Sequence, residues 1–225
     1  MKRRLGVHLG VPDIRWSLME LHRLGFFPGP VMDVGAYRGD WARLCLGIFP
    51  QAMILCVEPQ DGVQNDLGAL AADNHNVHIL QGLLGREERG GVPFDDNGPG
   101  SSVLLKGQRK AGPPMTTIDT LIANDLCAPP ELLKLDVQGY EMDVLEGFTR
   151  YFSACQVIQC ELSLLPLYPG APLLHEMIGY LYHRGFVLFD IEELIRGTQD
   201  GAVWQIDAFF SPIDSPLRKE RVWSF

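Results

Sequence analysis

Apolar runs with the length of a buried strand alternate with stretches of helical periodicity along most of the chain. The runs are bounded by glycine, proline or polar residues, which is typical of strands in a covered sheet. We predict strands at 31–34, 53–58, 77–80, 132–136, 156–160, 186–191 and 204–210. We predict helices at 12–24, 41–49, 61–72, 140–145 and 173–183, and an extended piece leading into a short helix at 115–124. This alternation favours an α/β fold with a largely parallel sheet.

The stretch 82–114 interrupts this alternation, since it is rich in glycine, proline and charged residues. Residues 101–105 are its only strand-like piece. We interpret the stretch as a loop or hairpin excursion that acts as a binding loop or lid, because long excursions from compact domains often do so. A length of 225 residues suits a single domain over 1–225, with 1–27 as an N-terminal helical extension over the sheet or the cleft.

The net charge and the cysteine pattern bear on which partners the protein binds and in which compartment it works. With 19 Lys and Arg against 28 Asp and Glu, the net charge of −9 argues against nucleic acid held by phosphate contacts. The five cysteines form no C-x-x-C pair, so we expect reduced core thiols and a cytoplasmic protein. The stretch 5–9 after the basic start is too short for the hydrophobic region of a signal peptide. No apolar run reaches the roughly twenty residues of a membrane span, so we expect no membrane partner.

The first predicted strand ends in the pattern D-x-G-x-x-x-G, from Asp33 through Gly35 to Gly39. A strand that turns through glycines into a helix gathers backbone N–H groups and a helix dipole at one point, which suits a polar ligand. The pattern lacks the G-x-G-x-x-G spacing of a dinucleotide site. An acid in the position of Asp33 would repel a pyrophosphate but can hold the ammonium group of an amino-acid moiety.

A second acid, Glu58, ends the next predicted strand, where a carboxylate can accept both hydroxyls of a ribose. An acid for an ammonium, glycines for close approach and an acid for a ribose together describe S-adenosylmethionine, with S-adenosylhomocysteine as product. The alternative is an ordinary strand–helix–strand unit with incidental glycines, and Glu58 counts against it. The predicted cofactor-binding residues are Asp33, Gly35, Ala36, Tyr37, Gly39, Glu58, Pro59, Gln81, Gly82 and Asp136.

The segment 134–147, K-L-D-V-Q-G-Y-E-M-D-V-L-E-G, resembles the K-[IL]-D-[VI]-E-G-x-E-x-x-[VA]-L-x-G segment of the FkbM family of S-adenosylmethionine-dependent methyltransferases. Supporting similarities lie at 33–39, 57–59, 101–102, 117–121 and Glu161. The resemblance implies a class I methyltransferase (Rossmann-like) fold, with a seven-stranded, mostly parallel sheet, an antiparallel last strand and helices on both faces. It also implies O-methylation of a sugar or natural-product hydroxyl.

The chain departs from the family pattern at two positions. Gln138 stands where the family usually has Glu, and Tyr37 stands where Asn is common. If that Glu carries a proton in relatives, Gln138 cannot do so here.

A hydroxyl nucleophile benefits from a base within hydrogen-bond reach. Asp136 is the first candidate, because it ends the predicted fourth strand beside the first, and Glu141 and Glu161 are candidate helpers. Glu141 could equally stabilise a helix N-terminus, and Glu161 could equally hold a loop by a hydrogen bond. Lys134 favours an ion pair with Asp136.

Several alternatives remain open from the sequence. Asp136 with Glu161 suits a divalent cation, but the Asp-Asn pair of catechol-type enzymes is missing after the fifth strand, so we expect no metal. We interpret His75 and His78 as solvated side chains and not as a pair of metal ligands. His175 is a weak candidate for a substrate contact or a base. Aromatic candidates for the pocket are Tyr37, Trp41 and Tyr168.

Three questions about activity and assembly also stay open. The acceptor is expected to be a small molecule or glycan, with N- or carboxyl-methylation of a peptide or amine as the rival within the class. The rival of another class is a non-catalytic, nucleotide-binding α/β protein. The sequence leaves the oligomeric state open between a monomer and a homodimer.

Overall fold

The computed structural model describes residues 13–95, 98–105 and 110–218. Residues 1–12 of the predicted N-terminal extension lie outside that part. The helices are α1 (Ile14–Arg23), α2 (Asp40–Leu46), α3 (Gln64–Asp73), α4 (Ile118–Ala123), α5 (Glu141–Glu146) and α6 (Leu174–His183). The strands are β1 (Pro30–Val34), β2 (Met53–Val57), β3 (Val77–Leu80), β4 (Leu83–Leu84), β5 (Pro93–Phe94), β6 (Lys110–Ala111), β7 (Met115–Thr116), β8 (Leu132–Leu135), β9 (Val157–Ser163), β10 (Phe186–Arg196) and β11 (Val203–Pro212).

Seven of these strands form one sheet in the order β10-β11-β9-β8-β1-β2-β3. All neighbours from β9 to β3 pair in parallel, and β11 pairs antiparallel with both β9 and β10. The last strand, β11, therefore lies between β9 and β10, and both of these run parallel to the other strands of the sheet. This is the predicted class I methyltransferase arrangement, and the sheet order reverses between β1 and β8.

The two faces of the sheet are covered by different helices, and each face has its own apolar cluster. One cluster takes Leu18 and Leu21 of α1 with buried residues of α2 and α3. The other takes residues of α4, α5 and α6, with Phe148 fully buried among them. This distribution confirms the prediction of helices on both faces. No helix in the described ranges has the length and apolar character needed to cross a membrane.

The excursion is built differently from the prediction. Residues 101–105 form no strand; Ser102 makes a single bridge with Asp95, while β5 pairs with β6 and β4 pairs with β7. The reason is local, since the Ser102 hydroxyl accepts from Leu104 N at 3.1 Å and donates to Gln138 O at 2.9 Å. These bonds turn the segment and hold it against the main sheet.

The boundaries of β9 and β10, at one end of the sheet, also differ from the prediction. The strand β9 continues to Ser163, so Glu161 lies inside it, opposite Asp207 of β11, and not after its end. The strand β10 runs five residues further than predicted, to Arg196, because β11 continues to pair with it across register shifts.

Candidate functional site

A cleft lies at the carboxyl ends of β1, β2 and β8, beside the point where the sheet order reverses. Ligands bind at such points in open α/β sheets because the loops there diverge. The residues that line the cleft are Val34, Gly35, Tyr37, Val57, Glu58, Pro59, Gln60, Gly82, Leu83, Leu84, Phe94, Ser101, Val103, Asp136, Val137, Gln138 and Tyr140.

Glycine is required at position 35 because the backbone of the next strand passes directly beside it. Gly35 has φ +77, and a Cβ on it would lie 1.9 Å from Asp136 O. Its N–H and that of Ala36 donate to Val57 O at 2.9 and 3.2 Å. These two N–H groups therefore tie β1 to β2 and already have an acceptor within the protein.

Replacing Gly35 with alanine is expected to reduce the free energy of unfolding by about 1–3 kcal/mol, because the new methyl group overlaps backbone and forces β1 away from β8. The added strain of the left-handed backbone acts in the same direction. Urea unfolding of the variant measures this. Gly68→Ala is the matched control, since a Cβ there meets nothing within 4 Å. Equal stability of the two variants would contradict the close approach.

Glu58 follows β2 and turns its carboxylate into the wall of the cleft. It is buried, with Oε2 accepting from Tyr37 N at 2.8 Å and Oε1 accepting from Gln60 N at 3.0 Å. Burial raises the pKa of Glu58, and these N–H groups oppose the rise. Each carboxylate oxygen has a second lone pair, so the group can still accept from hydroxyls of a ligand.

The other predicted cofactor residues divide into two groups. Pro59 and Gly82 line the cleft with Glu58. Gln81 does not line it and instead donates to Asp61 Oδ1 at 2.5 Å. Gly39 is also away from the lining, where its φ of +80 begins α2 and a Cβ would lie 2.7 Å from Leu70.

Asp33 is fully buried and is not part of the lining of the cleft. Its Oδ1 is 3.0 Å from Lys134 Nζ, whose side chain is only 7% exposed. The same ammonium donates to Gly35 O at 2.8 Å and lies 3.5 Å from Asp136 Oδ2. Burial by itself would lower the pKa of Lys134, but the attraction of Asp33 and Asp136 outweighs it and raises that pKa. The structure thus confirms the predicted structural ion pair of Lys134 and extends it to Asp33.

Asp136 and Glu161 meet on the amide of Gln138. Gln138 Nε2 donates to Asp136 Oδ1 at 2.7 Å and to Glu161 Oε2 at 2.8 Å. The hydroxyl of Tyr168 donates to Gln138 Oε1, and Gln205 Nε2 donates to the same Glu161 oxygen at 2.8 Å. Asp136 is the more accessible acid, with a side chain that is 36% exposed at the cleft.

Burial and the neighbouring carboxylates, chiefly Asp136 and Asp207, raise the pKa of Glu161 to about 9. Burial also raises the pKa of Asp207 to about 7 and, with Glu161 and Asp136 nearby, that of Tyr168 to about 12. This rise favours the neutral carboxylic acid form of Glu161, which can donate a hydrogen bond.

Glu141 is the first residue of α5, and its side chain turns back into the loop that follows β8. It is buried, and Oε1 accepts from Val137 N and from Gly139 N, both at 3.1 Å. Burial raises the pKa of Glu141 to about 7. The side chain does not line the cleft, and its hydrogen bonds fix the backbone on either side of Gln138.

Sequence reasoning missed several residues of the cleft. Phe94, Ser101 and Val103 form a wall from the excursion, and Gln60 and Tyr140 complete other sides. The glycine- and proline-rich composition of the excursion pointed to the segment but not to these side chains. Of the predicted aromatic residues, Tyr37 lines the cleft, while Trp41 is buried and donates to Gln159 Oε1 at 2.8 Å.

The structure also bears on the alternative of a metal site. Across the three ranges that the structure describes, no group of three or more His, Cys, Asp or Glu side chains could hold a metal ion. His75, His78 and His175 are all exposed.

A family model described as "Methyltransferase FkbM domain" matches residues 33–188, well over half of the chain. No curated protein matches the sequence. Among solved structures, the methyltransferase FkbM from Methylobacillus flagellatus KT is similar with a TM-score of 0.53 and 16% identity, over 80% of this chain and 43% of that one. The chain thus spans less than half the length of that protein.

Two further structures share the fold. The O-methyltransferase TomG from Streptomyces achromogenes, involved in tomaymycin synthesis and solved with S-adenosylmethionine, has a TM-score of 0.50 and 13% identity over 87% of this chain and 78% of its own. Fibrillarin from Aeropyrum pernix, with natively bound S-adenosylmethionine, has a TM-score of 0.50 and 13% identity over 86% and 74%.

The side chains that line the cleft fit S-adenosylmethionine. The acceptor-only carboxylate of Glu58 suits ribose hydroxyls, and the apolar wall of Pro59, Leu83 and Phe94 suits a flat ring. With the match over 33–188, the chain belongs to the FkbM family of methyltransferases.

Proposed function

We propose that the protein transfers a methyl group from S-adenosylmethionine to a hydroxyl oxygen of a sugar or natural-product small molecule. The observation that carries the proposal is the position of Asp136, an accessible carboxylate that lines the same cleft as Glu58. A base at that place can accept the proton of a hydroxyl nucleophile.

On the cofactor side, Glu58 accepts from the ribose hydroxyls, and the apolar wall with Gly82 encloses the adenine. When bound, S-adenosylmethionine supplies an electrophilic methyl group. Asp33 remains a proposed partner for the ammonium group, although its carboxylate already faces Lys134.

On the acceptor side, Asp136 receives the hydroxyl proton. Lys134 Nζ lies 3.5 Å from Asp136 Oδ2, and Gln138 fixes the orientation of Asp136 through Oδ1. Glu161 is held beside Asp136 by the Gln138 amide and is not among the residues that line the cleft. Methyl transfer then depends mainly on alignment of the hydroxyl with the methyl group in a site that excludes water.

The carboxyl groups on the acceptor side of the cleft bear on whether a carboxylate or an amine could be methylated instead of a hydroxyl. The carboxylate of Asp136 at the cleft would repel an acceptor carboxylate, which disfavours carboxyl-methylation. An amine acceptor would be attracted, so N-methylation is the rival that the experiment must separate.

Calorimetric titration with S-adenosylmethionine and S-adenosylhomocysteine, with NAD and ATP as controls, tests the cofactor. Transfer of labelled methyl to a panel of methyl glycosides and phenols, beside their amino-substituted counterparts, tests the acceptor. We expect selective binding of the first two ligands and transfer to hydroxyl compounds. Transfer to the amino compounds alone would replace oxygen by nitrogen. A folded protein that binds neither S-adenosyl ligand would favour the non-catalytic rival.

Glu58→Ala is expected to weaken S-adenosylmethionine binding by roughly tenfold or more, because ribose hydroxyls lose their partner at about 1–3 kcal/mol. Calorimetry of the variant measures the change. Glu87→Ala is the control, since it removes the same charge from an exposed position outside the cleft. Equal affinity of the two variants would remove Glu58 from the site.

A further inference from the structure

Gln138 has an uncommon backbone conformation that the surrounding structure holds from several sides. Its φ of +54 lies in the left-handed region, which costs a non-glycine residue free energy. The Ser102 hydroxyl of the excursion donates to its carbonyl at 2.9 Å. Glu141 accepts from the N–H groups of the residues before and after it. The backbone is thus fixed so that this one side chain points between β8 and β9.

Both the nitrogen and the oxygen of the Gln138 amide form hydrogen bonds with polar side chains beside the cleft. The amide nitrogen Nε2 carries two hydrogens, and it donates to Asp136 at 2.7 Å and to Glu161 at 2.8 Å. Its oxygen accepts from the hydroxyl of Tyr168. A glutamate at this position could retain the Tyr168 contact but has no hydrogen to donate to either acid.

We propose that Gln138 is a positioning residue for methyl transfer, which bridges Asp136 at the cleft to Glu161 of the adjacent strand and fixes both carboxyl groups. The proposal rests on the proposed role of Asp136 as base. Without the bridge, the carboxyl groups of two adjacent strands would lie together with no group that fixes their spacing and orientation.

The bridge also gives the two acids different tasks. Glu161 Oε2 accepts from two amides, those of Gln138 and Gln205, so the proton of neutral Glu161 belongs on Oε1. Among the described residues no side chain or backbone group donates to Oε1. Asp136 is held as an acceptor by Gln138 and Lys134, whereas Glu161 is held as a donor.

Carboxyl titration by NMR tests the bridge without any acceptor. The protein is labelled with ¹³C at Asp and Glu carboxyl groups and saturated with S-adenosylhomocysteine, and Glu161→Gln assigns the signal. The groups that face Glu161 are Asp136, Asp207, Glu141, Lys134 and Tyr168. We expect Gln138→Met to move the Glu161 midpoint upward by about one pH unit, because the charged form loses an N–H donor.

Two variants keep this test decisive. Gln205→Met removes the other donor, so it should move the Glu161 signal and leave that of Asp136 in place, whereas Gln138→Met should change both. Gln138→Asn tolerates the left-handed backbone but is too short to bridge both acids, so it covers the case in which Gln138→Met fails to fold. Unmoved Glu161 and Asp136 signals in both Gln138 variants would overturn the bridge.

Kinetics with whichever glycoside or phenol accepts methyl tests the effect on the reaction. Gln138→Met and Gln138→Glu should lower kcat by roughly tenfold or more while the KM for S-adenosylmethionine stays within about twofold. Gln51→Glu adds the same charge at an exposed turn and should leave kcat unchanged. An unchanged kcat would overturn the positioning role. Moved carboxyl signals with no hydroxyl acceptor in the panel would count against O-methylation and not against the bridge.

Discussion

Replacing Lys134 with methionine is expected to lower the free energy of unfolding by about 3–5 kcal/mol, because it leaves a buried charge without its partner. The partner is Asp33, which is 0% exposed and lies 3.0 Å from Lys134 Nζ. Methionine has nearly the length of the lysine side chain, so packing is largely kept and the lost charge dominates. The ammonium also serves Gly35 O and Asp136, so the loops after β1 and β8 lose a shared contact.

Urea unfolding followed by circular dichroism measures this effect. The double variant Asp33→Asn with Lys134→Met should be less destabilised than Lys134→Met alone, because removing both charges avoids an unpaired buried carboxylate. Arg23→Met, which breaks the exposed Arg23–Glu20 pair, should leave the midpoint nearly unchanged. A Lys134→Met midpoint close to that of Arg23→Met would show that the buried pair does not stabilise the fold.

The same pair marks a limit of sequence reasoning about the site. The spacing of Asp33 to the glycines suggested a group for a ligand ammonium, and the structure gives Asp33 a lysine ammonium from the adjacent strand instead. The register of β1 with β8, which sets Asp33 opposite Lys134, creates this contact. Register between strands a hundred residues apart cannot be deduced from local patterns.

The fold was largely predictable because periodicity carries it. Each of the seven strands of the main sheet begins within one residue of its predicted start, since apolar runs and their boundaries are local features. The excursion was not predictable in detail, because its conformation depends on side-chain hydrogen bonds such as Ser102 to Gln138. The predicted end of β10 was wrong for a similar reason, since pairing with β11 extends the strand through polar residues that carry no strand pattern.

Of the candidate site, the sequence predicted the strand ends better than the contacts between side chains. Glu58 and Asp136 were found because an acid that directly follows a buried strand opens onto the cleft edge. Gln138 was noticed only as a departure from a family pattern. Its bridging role depends on a left-handed backbone and on the neighbouring strand, neither of which has a sequence signal.

Asp136→Asn is expected to slow methyl transfer by roughly 10²–10⁴-fold, the usual contribution of a positioned general base. Asparagine retains the shape and an oxygen that can accept from Gln138, so the bridge to Glu161 can persist. It cannot take the proton of a hydroxyl nucleophile. Because Glu58 and the apolar wall are untouched, the affinity for S-adenosylmethionine should stay within about threefold.

Single-turnover transfer with the hydroxyl acceptor, beside calorimetry with S-adenosylmethionine, separates the two effects. Asp207→Asn is the matched control, since it removes a nearby buried carboxylate that accepts from Gln159 at 3.2 Å and does not line the cleft. It should cost less than about tenfold in rate, because the base itself remains. If Asp136→Asn transferred methyl as fast as Asp207→Asn, alignment and water exclusion alone would account for the rate, and the charge of Asp136 would serve only to hold Lys134 and Gln138 in place.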